Sequence, residues 1–208
     1  MRIDAVASKP DRMSRYRVAL SDGSVMRLYR QTVEDFGLFP GMELTDEMLA
    51  QLKNKAGEMS AKMRAVRIVS AANVSVRDLE QRLVQKGEAQ DQAKAAVAWL
   101  EDLNLVDDER TAAQIVSRCI SRGYGLGRAK QALFEKKIPR EYWDRALSDY
   151  PDQTDAMIKF LHSRLTDPDD PKQVKRAADA LLRRGHSWTE IRHALAQFGE
   201  DAEAFQED

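Results

Sequence analysis

LEQRLVQKGEAQDQAKAAV, residues 79–97, has two echoes downstream: AKQALFEKKIPREYWDRAL at 129–147 and AADALLRRGHSWTEIRHAL at 177–195. Gly87, Lys137 and Gly185 align as reference points, 50 and 48 residues apart. Eight residues before them stand Leu79, Ala129 and Ala177; four before stand Leu83, Leu133 and Leu181. Six after stand Ala93, Trp143 and Ile191, then Ala96, Ala146 and Ala194 at nine and Val97, Leu147 and Leu195 at ten. Every one of these positions is apolar, at the spacing of one helix face on each side of the reference point. A basic residue precedes each reference point (Lys86, Lys136, Arg184), where a helix's last turn favours a cation. Each copy reads as helix, tight turn, helix, and repeats of this size stack so that neighbours complete one another's buried face.

A further helix is expected after the first copy, in DDERTAAQIVSRCISRGYGLGRAK, residues 107–130. Its apolar residues fall at 112, 115, 116, 119 and 120, one amphipathic face, so Asp107 or Asp108 reads as the N-cap with Glu109 in the first turn. A metal or catalytic pair would need convergent ligands that no His or Cys arrangement supplies. The corner Gly123, Gly125, Gly127 follows no strand, so it lacks the context of a dinucleotide fingerprint and reads as glycines ending one helix and opening the next. DQTDAMIKFLHSR (152–164) fills the corresponding place in the second copy. The third copy runs into five acids between Glu200 and Asp208, so a third helix there should be short or absent.

Upstream, Asp46 to Ala72 carries a long helical pattern. Residues 14–30 read as a β-hairpin turning at Asp22-Gly23, with residues 3–8 as a candidate edge strand. The expected organisation is an N-terminal hairpin region (1–44), a connecting helix (45–72), helical repeats at 73–123, 124–165 and 166–200, and an acidic tail (201–208). The fold class is mainly α.

Composition excludes several functions. The one cysteine, Cys119, precludes an internal disulfide framework, fits a reducing compartment, and sits on an apolar helix face as an inert thiol. No apolar run nears the ~20 residues of a membrane span, and the N-terminus has no signal-peptide core, so a cytoplasmic protein without membrane contact is expected. His162, His186 and His193 form no ligand pair, and no serine has a suitable His and Asp. The chain is therefore expected to be no enzyme, with no metal and no cofactor. Trp143 lies on a repeat core position, and Trp99 and Trp188 near the same faces, as packing residues.

The charge is more telling in its distribution than in its sum of −1. Eight basic residues face three acidic ones between Arg118 and Arg145. Arg118 and Arg122 lie one turn apart on the polar face of their helix, and Arg128 comes after the glycine corner. Arg64, Arg67, Arg77, Arg82 and Lys86 make a second set around the first repeat. These residues can be a solvated face, or a contact surface for phosphates or an acidic protein groove, where guanidinium forks bond bidentately.

VSVRDLEQRLVQKG (74–87), together with LNLVDDERTAAQIVSRCISRGYGLGRAKQAL (103–133), resembles the RecX family of recombination regulators. The family's Ser-x-x-Glu-Leu opening falls on Ser75, Asp78 and Leu79, and its Lys-Gly turn on Lys86 and Gly87. Its Leu-x-Asp-Asp-x-Arg-Phe-Ala segment falls on Val106, where the pattern is apolar, and on Asp107, Asp108, Arg110 and Ala112; its Arg-x-x-x-Gly corner falls on Arg122 and the flanking glycines. Thr111 stands where an aromatic is usual, Lys137 where the second turn has glycine, and Leu126 where proline is frequent. The match is strong over about 64–148 and extends weakly to about 196. The resemblance implies tandem three-helix repeats in an elongated curved array. It also implies binding to the RecA recombinase filament, with single-stranded DNA reached through the filament, and inhibition of recombinase activity by a monomer. The candidate contact residues are Arg118, Arg122, Arg128, Arg77, Arg82, Lys86 and Lys136. The alternative is a helical-repeat protein that binds DNA directly.

Overall fold

Residues 1–204 are described by the computed structural model, and they begin with a three-stranded antiparallel sheet in the order β1 (Ile3–Val6), β2 (Arg15–Leu20), β3 (Val25–Tyr29). The candidate edge strand is thus a full member. Gly23 takes φ +83° in the β2–β3 turn, where Asp22 accepts the Ser24 N–H at 2.9 Å. Period-2 alternation puts Val18, Leu20 and Leu28 on one face, buried with Ile3, Leu38, Leu44 and Leu52. A short helix, α1 (Arg30–Asp35), comes next; RQTVED is too short and polar to show a helical period, so the sequence gives no sign of it.

The long helix α2 (Asp46–Ala71) starts at Thr45, whose Oγ1 accepts the Met48 N–H at 3.1 Å. It does more than connect. Leu52 and its neighbours pack on the sheet, while Ala61 and Ala65 pack on α3 (Val76–Gln85) and α4 (Gln90–Asp102) with Leu79, Leu83, Ala93, Ala96, Val97 and Leu100. A second core joins α5 (Asp108–Ser121), α6 (Leu126–Glu135) and α7 (Trp143–Leu147) through Ala112, Val116, Leu133, Ile138 and Trp143. A third joins α8 (Thr154–His162), α9 (Pro171–Arg183) and α10 (Trp188–Ala204) through Met157, Leu161, Ala177, Leu181, Ile191 and Phe198.

The helix that completes each bundle therefore leads the repeated pair instead of trailing it. This differs from the expected boundary after residue 123: α5 packs with α6 and α7, and the chain divides into compact units at Val106/Asp107. The repeat alignment yields a period but not a phase, because only packing shows which neighbour an amphipathic helix covers. The backbone at 201–204 continues α10; the rest of the expected acidic tail lies outside the described residues.

The three turns share one geometry. Gly87, Lys137 and Gly185 have φ of +91°, +57° and +88°. The next residue donates its N–H to the repeated leucine's carbonyl: Glu88 to Leu83 at 3.1 Å, Ile138 to Leu133 at 3.0 Å, His186 to Leu181 at 3.3 Å. This is the left-handed C-terminal cap of a helix, which glycine adopts freely and Lys137 adopts at a cost. Leu83, Leu133 and Leu181 are all 0% exposed. Among the described residues no helix is long and apolar enough to cross a membrane.

Candidate partner-binding surface

The surface is built on α5. Asp107 caps it, Oδ1 accepting the Arg110 N–H at 2.9 Å, while Asp108 is buried and Glu109 pairs with Arg145. With Ala112, Val116 and Cys119 turned to the core, the opposite face presents Arg118 and Arg122 to solvent one turn apart. No acidic side chain among the described residues lies within salt-bridge distance of either. An open depression along this face is lined by Arg110, Gln114, Ser117, Arg118 and Ser121. Arg110, two turns before Arg118, lines the same depression, although it is not among the contact residues expected from the sequence.

Arg128 differs from its two companions. It is half-buried, and its Nη1 lies 3.1 Å from Glu135 Oε1, which also accepts from Gln131 at 2.9 Å. All three guanidiniums still act on one point. Burial holds the Cys119 thiol above its ordinary value, and the charges of Arg128, Arg122 and Arg118 offset only part of that rise.

The remaining candidates are dispersed. Arg82 is held by the buried carboxylate of Asp78 at 2.8 Å. Arg77 and Lys86 are exposed, but nine positions apart along α3 and its C-cap they point to opposite sides at 100° per residue. Lys136 is exposed at the C-cap of α6. Arg64 is bonded to Glu88 at 2.5 Å and Arg67 to the Tyr29 hydroxyl at 3.3 Å, so the second set forms no single face.

The glycine corner is structural, for a reason only partly visible in the sequence. Gly123, at φ +62°, ends α5 as expected. Gly125 and Gly127 have no positive φ; they let the start of α6 lie against the α9–α10 turn. The Gly125 N–H donates to the Arg184 carbonyl and the Gly127 N–H to the Gly185 carbonyl, each at 3.0 Å. A Cβ on Gly125 would run into the Gly185 carbonyl, and one on Gly185 into the Arg128 backbone nitrogen. The amides a phosphate would need are already bonded within the protein.

Trp143 is buried, its Nε1 donating to the Ile138 carbonyl at 3.0 Å, and Trp99 packs against the first core. Trp188 departs from the packing reading. It is 53% exposed, because the Ser187–Glu190 capping box (Glu190 N–H to Ser187 Oγ at 3.2 Å) opens α10 at Trp188 with its ring toward solvent.

His186 sits behind this seam, buried, its Nε2 donating to the Gly123 carbonyl at 3.1 Å while Nδ1 meets no partner. That is a neutral imidazole; protonation would leave a second N–H buried and unbonded. Burial lowers its pKa from the usual 6.5, outweighing the Gly123 bond and Glu190, which raise it; Arg184 lowers it further. Between the depressed folded value and 6.5 the unfolded chain binds a proton that the folded chain refuses, so stability rises with pH there. The melting temperature should accordingly fall between about pH 7.5 and 5.5, and His186→Gln should flatten that fall. Equal slopes in both proteins would disprove this account of the seam.

Among known proteins, the family model described as RecX, second three-helix domain, matches residues 107–147, the span of α5 to α7. The regulatory protein RecX of Mycolicibacterium vanbaalenii is 30% identical over 164 residues, covering 73% of this chain and 89% of that protein. The regulatory protein RecX of Vibrio parahaemolyticus is 26% identical over 152 residues, covering 72% of this chain and 98% of that one. A crystal structure of a regulatory protein RecX superposes with a TM-score of 0.63 at 20% identity, over 92% of this chain and 97% of that chain. RecX from Lactobacillus salivarius does so with 0.59 at 19% identity, over 69% and 97%.

Proposed function

The chain belongs to the RecX family of regulatory proteins, and from there we propose that it binds the RecA filament assembled on single-stranded DNA and inhibits its recombinase activity. The observation that supports the reading is the α5 face, where Arg118 and Arg122 stand exposed one turn apart, without an acidic partner among the described residues, and where Arg118 lines one depression with Arg110. Such a filament groove would be expected to present acidic side chains and DNA phosphates. A rigid helix carrying guanidiniums complements both and is steered to them by charge. α5 suits the task because its other side is fixed in a core, so little ordering is needed on binding.

The double variant Arg118→Glu, Arg122→Glu should fold and melt like the parent, since exposed substitutions shift stability by less than about 0.5 kcal/mol. It should need at least about tenfold more protein to half-inhibit RecA-driven strand exchange, a loss of ~1.4 kcal/mol of contact. Lys175→Glu with Arg176→Glu, an equal charge change at exposed positions of α9, serves as the control. A folded double variant that inhibits at the parent's concentration would place the contact elsewhere.

A further inference from the structure

The N-terminal sheet holds an arrangement its stability does not require. In the β2–β3 register Arg17 lies directly opposite Arg27. Like charges in directly opposed cross-strand positions destabilise a sheet. Both side chains are exposed on the face turned away from the core, and neither has an acidic partner among the described residues. The segment 1–30 carries seven basic and three acidic residues. All three acids are already engaged: Asp4 with Arg2 at 3.2 Å, Asp22 with Ser24 in the hairpin turn, and Asp11 at 2.8 Å with Arg15, which shares this face opposite Tyr29. Tyr29, two residues beyond Arg27 on the same side of the strand and itself buried, accepts an N–H of Arg67 at 3.3 Å, which places a third guanidinium, from α2, at that end of the face.

We propose that this outward sheet face, centred on Arg17, Arg27 and Arg67, is a binding surface for the phosphodiester backbone of a nucleic-acid strand. Guanidinium forks donate bidentately to phosphate oxygens, and a bound polyanion supplies the counter-charge that the opposed pair lacks. Toward its other end the same face carries Ala5, Ala19 and Val25. Such small side chains leave the guanidiniums open to a rod-like backbone. Tyr29, the aromatic of this strand face, is buried, and Val25, its largest exposed apolar side chain, is of a type under-represented among the residues that anchor protein–protein interfaces. An acidic peptide is thus the poorer fit. The surface lies in the unit Met1–Val106 and needs no recombinase, so it stands or falls separately from α5.

The test is binding of the full chain to a fluorescent oligothymidylate, without recombinase, across a salt series. Each phosphate contact on a single strand contributes about 0.7 to the slope of log affinity against log salt. Arg17→Ala with Arg27→Ala should therefore lower that slope by about 1.4 and weaken binding several-fold at low salt. Its melting temperature should not fall, because the substitution removes a like-charge opposition. Arg17→Lys with Arg27→Lys should restore most of the slope. The Arg118→Glu, Arg122→Glu variant, run alongside, should lose strand-exchange inhibition and keep this contribution to the slope. An unchanged slope and affinity in the alanine variant would overturn the proposal. So would competition by polyglutamate as effective, charge for charge, as that by unlabelled oligonucleotide.

Discussion

Leu133→Ala should cost about 2–5 kcal/mol, the range for truncating a fully buried leucine whose surroundings cannot collapse. Leu133 is 0% exposed and belongs to a core of five buried residues, against ten around Leu83 and ten around Leu181. The same cavity removes a larger share of the cohesion of α5–α7. The loss falls on a bundle whose last helix, α7, has only five residues and depends on packing to form at all. Trp143 fluorescence in a urea titration reads the effect locally, since its indole N–H bonds inside that core. A midpoint shift equivalent to less than about 1 kcal/mol would contradict the picture of one tightly packed leucine per bundle.

Gly185→Ala should be nearly as damaging, and its comparison with Gly87→Ala isolates the cause. Both glycines have φ near +90°, so an alanine at either incurs the left-handed penalty of about 1–2 kcal/mol. A Cβ at Gly87 meets nothing within 4 Å, so that penalty is its whole cost. A Cβ at Gly185 strikes the backbone of Arg128, which is anchored by the start of α6 and cannot step aside like a flexible side chain. Overpacking of that kind adds about 1–3 kcal/mol. Equal thermal shifts in the two variants would mean that the seam yields easily.

The repeated leucines and the tight turns after them were legible in the sequence because they depend on local period and on residue type, whereas the left-handed backbone of those turns is a finding of the structure. Even Lys137 could be aligned, since the apolar positions on both sides of it fixed its place. The Asp107 cap was legible for the same reason. The grouping of helices into bundles was not, since an amphipathic face does not name its partner. Nor were the roles of Gly125 and Gly127, which depend on a turn some sixty residues away. Among the basic candidates, helical spacing placed Arg118 and Arg122 on one face. It could not reveal that Glu135 engages Arg128 or that Asp78 engages Arg82, because rotamers chosen in the folded state decide ion pairs. Arg17 and Arg27, ten residues apart in the chain, become neighbours only through the register of the hairpin, which residue type and period do not specify.

The seam between the start of α6 and the α9–α10 turn is held by two bonds from main chain to main chain, with the His186 ring adding a third to the Gly123 carbonyl, and no side chain can be inserted at its two glycines. At Gly125 and Gly185 its specificity is consequently one of bulk. Because the two main-chain bonds need no particular side chain at Arg184 or at the residues that open α6, the joint makes its strictest demand at Gly125 and Gly185, which leave no room for an added carbon. Over long divergence such a joint can keep two bundles in register while the surfaces on either side are remodelled for different partners.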